Sequence, residues 1–197
     1  MPELTPTVQT TLGTIEAIYK RRAVRSYAAK PVGRGTIEKL LDAAVHAPTA
    51  VHEEPWAFVV IEDPQILRSL SDDAKKSLGE IGRSVRLPGE SHGHHFSPPD
   101  NIFYNAAALI VIYGKPLGRF VVADCWLAAE NLMLAAVAMG LGTCVIGLAV
   151  EALNAPEWKL KLGIPNDFTA FAPIIVGIPA GETPETGRRK PEVIAWK

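Results

Sequence analysis

Apolar positions recur along the chain at two spacings, and the change from one to the other marks out its elements. Leu12, Ile15, Ile18 and Tyr19 keep helical spacing and predict a helix over 11–22. A connector from Pro31 to Gly35 follows, and Ile37, Leu40, Leu41, Ala44 and Val45 predict a second helix from Thr36 to near His46, with Pro48 confirming its end. Residues 56–61 read as a strand, Asp63 and Pro64 as the start of a third helix over 65–78, and 107–114 as a second, fully apolar strand. The longest apolar run goes from Val121 to Gly147. It is apolar nearly all round the helical period as far as Met139, is stopped by Gly140 and Gly142, and continues as an apolar strand over 143–147. A short helix over 153–162 and a strand over 171–177 complete the pattern. Residues 1–10 read as extended. The stretch 79–100 is the least periodic and is a candidate lid, and the arm 181–197 ends in Val193, Ile194 and Trp196, which need a surface to cover. Helices alternating with unbroken apolar strands would by themselves suggest a parallel sheet.

The acidic residues inside the longest run decide its solvent. Asp124 and Glu130 lie within it, and an acid such as Asp at the centre of a bilayer costs about 2.5–3.5 kcal/mol, so the run predicts the core helix of a soluble protein and not a membrane span. A length of 197 residues fits a single domain, 1–197, that buries roughly 70% of its unfolded surface. The formal net charge of −1 gives no global attraction to nucleic acid or an anionic membrane, so any anion site must be local. No basic segment followed by an apolar one opens the chain, which predicts a cytoplasmic location. Cys125 and Cys144 make no C-x-x-C pair and fall on the predicted core helix and strand, as buried inert thiols do.

The local anion site has two candidate halves. Lys20, Arg21, Arg22 and Arg25 form the densest basic cluster, and favourable placement at a helix C-terminus accounts for only one or two of them. Arg188, Arg189 and Lys190 form a second cluster at the far end of the chain. Converging, the two would make a pocket for one phosphate, held by planar guanidinium forks because G-x-G-x-x-G and G-x-x-x-x-G-K-[ST] are both absent. No G-x-S-x-G or other nucleophile setting appears, a poverty of catalytic side chains that suits chemistry done by a cofactor. Two metal readings are disfavoured. His52, Glu53 and Glu54 are consecutive on a loop and point apart, and His92, His94 and His95 have no carboxylate or cysteine at ligand spacing.

Five segments in order, 20–27, 47–58, 101–112, 130–147 and 188–191, together resemble the FMN-dependent nitroreductase family over nearly the whole chain from about residue 14. The resemblance implies an α+β fold with a central, mainly antiparallel sheet flanked by helices, against the parallel sheet that the alternation suggests. It also implies an intertwined homodimer with FMN at its interface, NAD(P)H as co-substrate and a small electron-poor acceptor. Carried over by position, Arg21 and Arg22 meet the FMN phosphate and ribityl region, and Arg25 lies beside the pyrimidine edge. Pro48, Thr49 and Ala50, with His52 beside them, belong to a loop that the partner subunit lays against the ring. Ile146 and Gly147 offer backbone N–H groups to the flavin, and Arg189 with Arg188 forms a tail clamp on the phosphate. The chain departs from the family at Ala23, His52 and Glu54, where serine, asparagine and glutamine are usual. These departures leave open a specialised reaction, reductive dehalogenation or flavin fragmentation, or flavin binding without turnover.

Overall fold

The computed structural model describes residues 12–81 and 99–197. Its elements are α1 (Thr14–Lys20), α2 (Arg34–Val45), β1 (Trp56–Ile61), α3 (Pro64–Ile81), β2 (Ala108–Gly114), α4 (Val121–Ala138), β3 (Gly142–Val145), α5 (Val150–Asn154), α6 (Pro156–Leu162) and β4 (Thr169–Gly177). The four strands form one sheet in the order β1-β2-β4-β3. Every pairing is antiparallel, with Val111 of β2 opposite Val59 on one side and Pro173 on the other. The parallel sheet suggested by the alternation is therefore wrong, and the antiparallel one implied by the resemblance is right.

The reason the strands mislead lies in how they are covered. In β2, Leu109, Val111 and Tyr113 enter a core with α3, α5 and α6, while Ala108, Ile110 and Ile112 enter a second core with α2 and α4. All seven residues of β2 are buried. An antiparallel sheet sandwiched on both faces loses the polar face that usually betrays it, and reads like a parallel one.

Local chemistry sets the element ends. The Asp63 carboxylate accepts N–H bonds from Gln65 at 2.7 Å and Ile66 at 3.3 Å, capping α3 behind Pro64. The helix predicted over 153–162 is broken in two, because Ala155 before Pro156 is extended, at φ −64° and ψ 139°. α4 is long and apolar enough to cross a membrane by length and composition. Here it packs against the sheet and α2, burying Asp124, Cys125, Ala128, Ala129, Leu132, Met133 and Ala136. Its other side is exposed at Val122, Trp126 and Leu127, so the helix is covered on one face and not all round. Residues 1–10 and the three histidines at 92, 94 and 95 lie outside the described residues.

Candidate functional site

Beyond α1 the chain becomes a ribbon laid along the sheet. Ala23 bridges Thr143 in parallel, the Val24 N–H donates to the Thr143 carbonyl at 2.9 Å, and Tyr27 bridges Pro179. The Ala28 N–H donates to Ile178 and the Ala180 N–H to Ser26, at 2.8 and 2.9 Å. Two glycines make room for this contact. A Cβ on Gly142 would lie 2.8 Å from the Val24 side chain, and one on Gly177 would lie 2.6 Å from the Tyr27 ring. Tyr27 is locked by its own hydroxyl, which donates to the Val24 carbonyl at 2.7 Å, and burial pushes that hydroxyl far above its ordinary pKa. The ribbon thus fixes Arg21, Arg22 and Arg25 along one edge of the molecule.

The two basic clusters do converge. Arg21, Arg22 and Arg188 line one cavity of about 490 Å³, together with Ile18, Tyr19, Glu130, Glu185 and Thr186. Arg189 is next in the chain but is not part of this lining. Arg21 pairs with Glu130 of α4 and Arg22 with Glu185 of the arm, both at 3.4 Å. The Arg22 guanidinium also donates to the carbonyls of Tyr19 and Arg21. Three guanidinia against two carboxylates leave the wall with an excess of positive charge, and a carboxylate as exposed as that of Glu185, at 92%, is held weakly enough for a doubly charged anion to displace it.

A second cavity, of about 300 Å³, is lined by Arg25, Ile102, Tyr104 and residues 144–148. Arg25 is exposed, and its charge opposes the burial that raises the Cys144 thiol. The Ile146 N–H is committed to the Pro173 carbonyl at 2.9 Å, whereas the Gly147 N–H begins a short 3-10 turn, Gly147–Ala149, and has no backbone acceptor among the described residues. Of the two amides implied for the flavin, that of Gly147 is the available one.

The remaining predicted group, Pro48, Thr49, Ala50 and His52, lies at the opposite end of α4, where the Ala50 N–H meets the Asp124 carboxylate. None of the four lines either cavity of the same chain. The described residues contain no cluster of three or more histidine, cysteine, aspartate or glutamate side chains suited to a metal ion. Sequence reasoning missed Glu130, Glu185, Tyr104 and Cys144 as site residues. Glu130 carried a signal, a charge isolated within an apolar helix, which implies a partner if buried.

A family model described as the nitroreductase family matches residues 18–178. A protein of Archaeoglobus fulgidus named as an NADH dehydrogenase/NAD(P)H nitroreductase is 31% identical over 173 residues, covering 85% of this chain and 86% of that protein. A nitroreductase structure with bound FMN from Bacteroides fragilis aligns with a TM-score of 0.76 at 24% identity, over 94% of this chain and 98% of its own. An oxidized iodotyrosine deiodinase bound to FMN and 3-iodo-L-tyrosine aligns with a TM-score of 0.78 at 20% identity, over 92% and 97%. At these identities the two structures establish the shared fold.

Proposed function

Because this chain belongs to the nitroreductase family, we propose that it is an FMN-dependent oxidoreductase that takes reducing equivalents from NAD(P)H and passes them to a small electron-poor acceptor, such as a nitroaromatic or a quinone. The observation that carries the reading is the convergence of Arg21, Arg22 and Arg188, from opposite ends of the chain, on one cavity whose excess charge suits a phosphate. Arg25 and the Gly147 amide line the neighbouring cavity, where they suit the polar edge of a flavin ring. Bound FMN would supply a reversible hydride acceptor, which explains why the chain needs no nucleophile of its own. The protein's part is to hold the phosphate with guanidinia, to place a cation at the pyrimidine edge, and to keep water from the ring.

Keeping water out requires more than one chain. Ile15, Ile18 and Tyr19 of α1, Val122, Trp126 and Leu127 of α4, and Val193, Ile194 and Trp196 of the arm are all exposed apolar side chains. That much exposed apolar surface fits a protein partner, and the proposed assembly is a cytoplasmic homodimer in which the 48–54 loop of one copy covers the cavities of the other. A second reading is reductive dehalogenation. It is favoured by the deiodinase that shares the fold and by ionisable His52 and Glu54 on that loop, where the family has amides.

The test is direct. Purified protein is expected to be yellow and to bleach anaerobically on addition of NADH or NADPH, with steady turnover of a nitroaromatic or quinone. Flavin-loaded protein that stays oxidised under both nucleotides would refute the nicotinamide part, and turnover confined to halogenated phenols would favour the second reading.

A further inference from the structure

We infer that Asp124 is a positioning residue for the flavin site: its buried carboxylate holds the 48–55 loop in a left-handed backbone conformation and so sets how that loop covers a bound ring. The inference rests on the flavin reading above.

Asp124 stands in the first turn of α4 and is 3% exposed. A first-turn acid suits the helix dipole, but that effect needs no burial, and a buried carboxylate is costly unless it is used. Its two oxygens accept from one donor, the Ala50 N–H, at 3.2 and 3.4 Å. The donor belongs to the most contorted stretch of the described chain. Val51, His52 and Glu54 have φ of 46°, 58° and 46°. A β-branched residue in this region is an outlier, and such residues persist only where their surroundings hold them. Val51 gains little hold from packing, since it is 82% exposed.

Contacts at both ends constrain the loop. The Pro55 carbonyl accepts from the Lys115 N–H at 2.7 Å, and the Glu53 carboxylate lies so near Gly118 that a Cβ there would come within 2.5 Å of it. Both act at the loop's far end. Next to Val51, where the reversal begins, the Ala50 carbonyl accepts from the Glu53 N–H at 3.1 Å within the loop itself, and the Asp124 carboxylate is the hydrogen-bond partner that ties this end of the loop to another element. The loop carries Pro48, Thr49, Ala50 and His52, the groups assigned to the ring, and lies away from the phosphate cavity. Asp124 should therefore govern affinity for the ring system and leave the phosphate contribution alone.

The experiment combines amide exchange of residues 50–54 with titration of apo protein by FMN and by riboflavin. Asp124→Ala is expected to speed exchange at Ala50 and to weaken both flavins about tenfold or more. Asp124→Asn, whose amide oxygen still accepts the Ala50 N–H, should stay within about threefold of wild type. Val51→Gly added to Asp124→Ala should restore most of the loss, since glycine adopts positive φ without steric cost. Ala50→Pro is the second variant. It removes the same bond from the loop's side and leaves α4 intact, with Thr49 already at ψ 149° as a residue before proline requires, and it should reproduce the loss. Wild-type affinity in both Asp124→Ala and Ala50→Pro, a loss confined to FMN, or no recovery with Val51→Gly would each overturn the assignment. Wild-type protein that takes up neither flavin would overturn the reading beneath it, a different result from a bound flavin indifferent to Asp124.

Discussion

Arg22 is oriented before any ligand arrives, because its guanidinium is already bonded to the Tyr19 and Arg21 carbonyls and its side chain is only 18% exposed. A pre-oriented, charge-assisted contact is worth about 1.5–3 kcal/mol. Arg22→Ala is accordingly expected to weaken FMN roughly ten- to a hundredfold and to leave riboflavin affinity unchanged. Arg188→Ala should act likewise and Arg189→Ala less, since only Arg188 lines the cavity. Flavin titration of the three variants checks this, and equal losses at Arg188 and Arg189 would contradict it. The thiols make a second expectation at this scale. Burial, aided by neighbouring Asp124, pushes Cys125 up to about 12, and burial also raises Cys144. Neither should be alkylated in native protein at neutral pH, and both should be labelled after unfolding. Arg21 and Arg22 do line a cavity with Arg188, and arginines in excess of what a helix end needs were legible as a cluster with a further role. The role of Asp124 was not, because its donor lies 74 positions away in sequence, and an acid in an apolar run announces only that the run is not in lipid.

Among the elements, the amphipathic helices and apolar strands were legible to within a few residues, while strand direction was hidden by a sheet with no polar face. The helix read over 153–162 passed over Pro156, whose requirement for extended geometry at the preceding residue makes the break between α5 and α6. Packing predictions belong at this level. Leu132 of α4 is fully buried, so Leu132→Ala should cost about 2–5 kcal/mol in denaturant unfolding. Gly142→Ala should cost about 1–3 kcal/mol by overpacking and, because it presses on Val24, should also weaken FMN. The joint between α3 and α6 gives an expectation in pH. The Asp73 carboxylate accepts from Lys76 at 2.8 Å and from the Trp158 indole at 3.2 Å, and the Lys76 bond holds it below its ordinary range. A depressed carboxylate stabilises the fold above its unfolded pKa and loses that contribution as pH falls through the lower, folded one. Asp73→Asn should therefore lower stability at neutral pH, converge with the wild type in acid, and so flatten the acid side of the stability profile, as urea melts between about pH 2 and 7 would show.

For the whole molecule, the apolar outer faces of α1 and α4 are its least self-sufficient feature. Periodicity read α4 as a core helix because every side of it is apolar; it cannot say which side this chain covers and which it leaves exposed. Trp126→Glu, at a position 41% exposed in the single chain, should barely alter the monomer's secondary structure, yet shift the protein to monomer in sedimentation velocity and lower flavin content with it. A stable dimer with full flavin would remove that interface from the proposal. The stitching of 23–28 to β3 and 178–180 also fixes an order of events in time. On a ribosome adding about 5–20 residues per second, Arg21 and Arg22 emerge early and wait on the order of ten seconds for the strand and the arginine that complete their cavity. If that cavity holds the proposed flavin phosphate, nascent chains that stall before residue 188, with most of the sheet already made, should be colourless, and cofactor capture would have to wait until both arginine clusters have been synthesised.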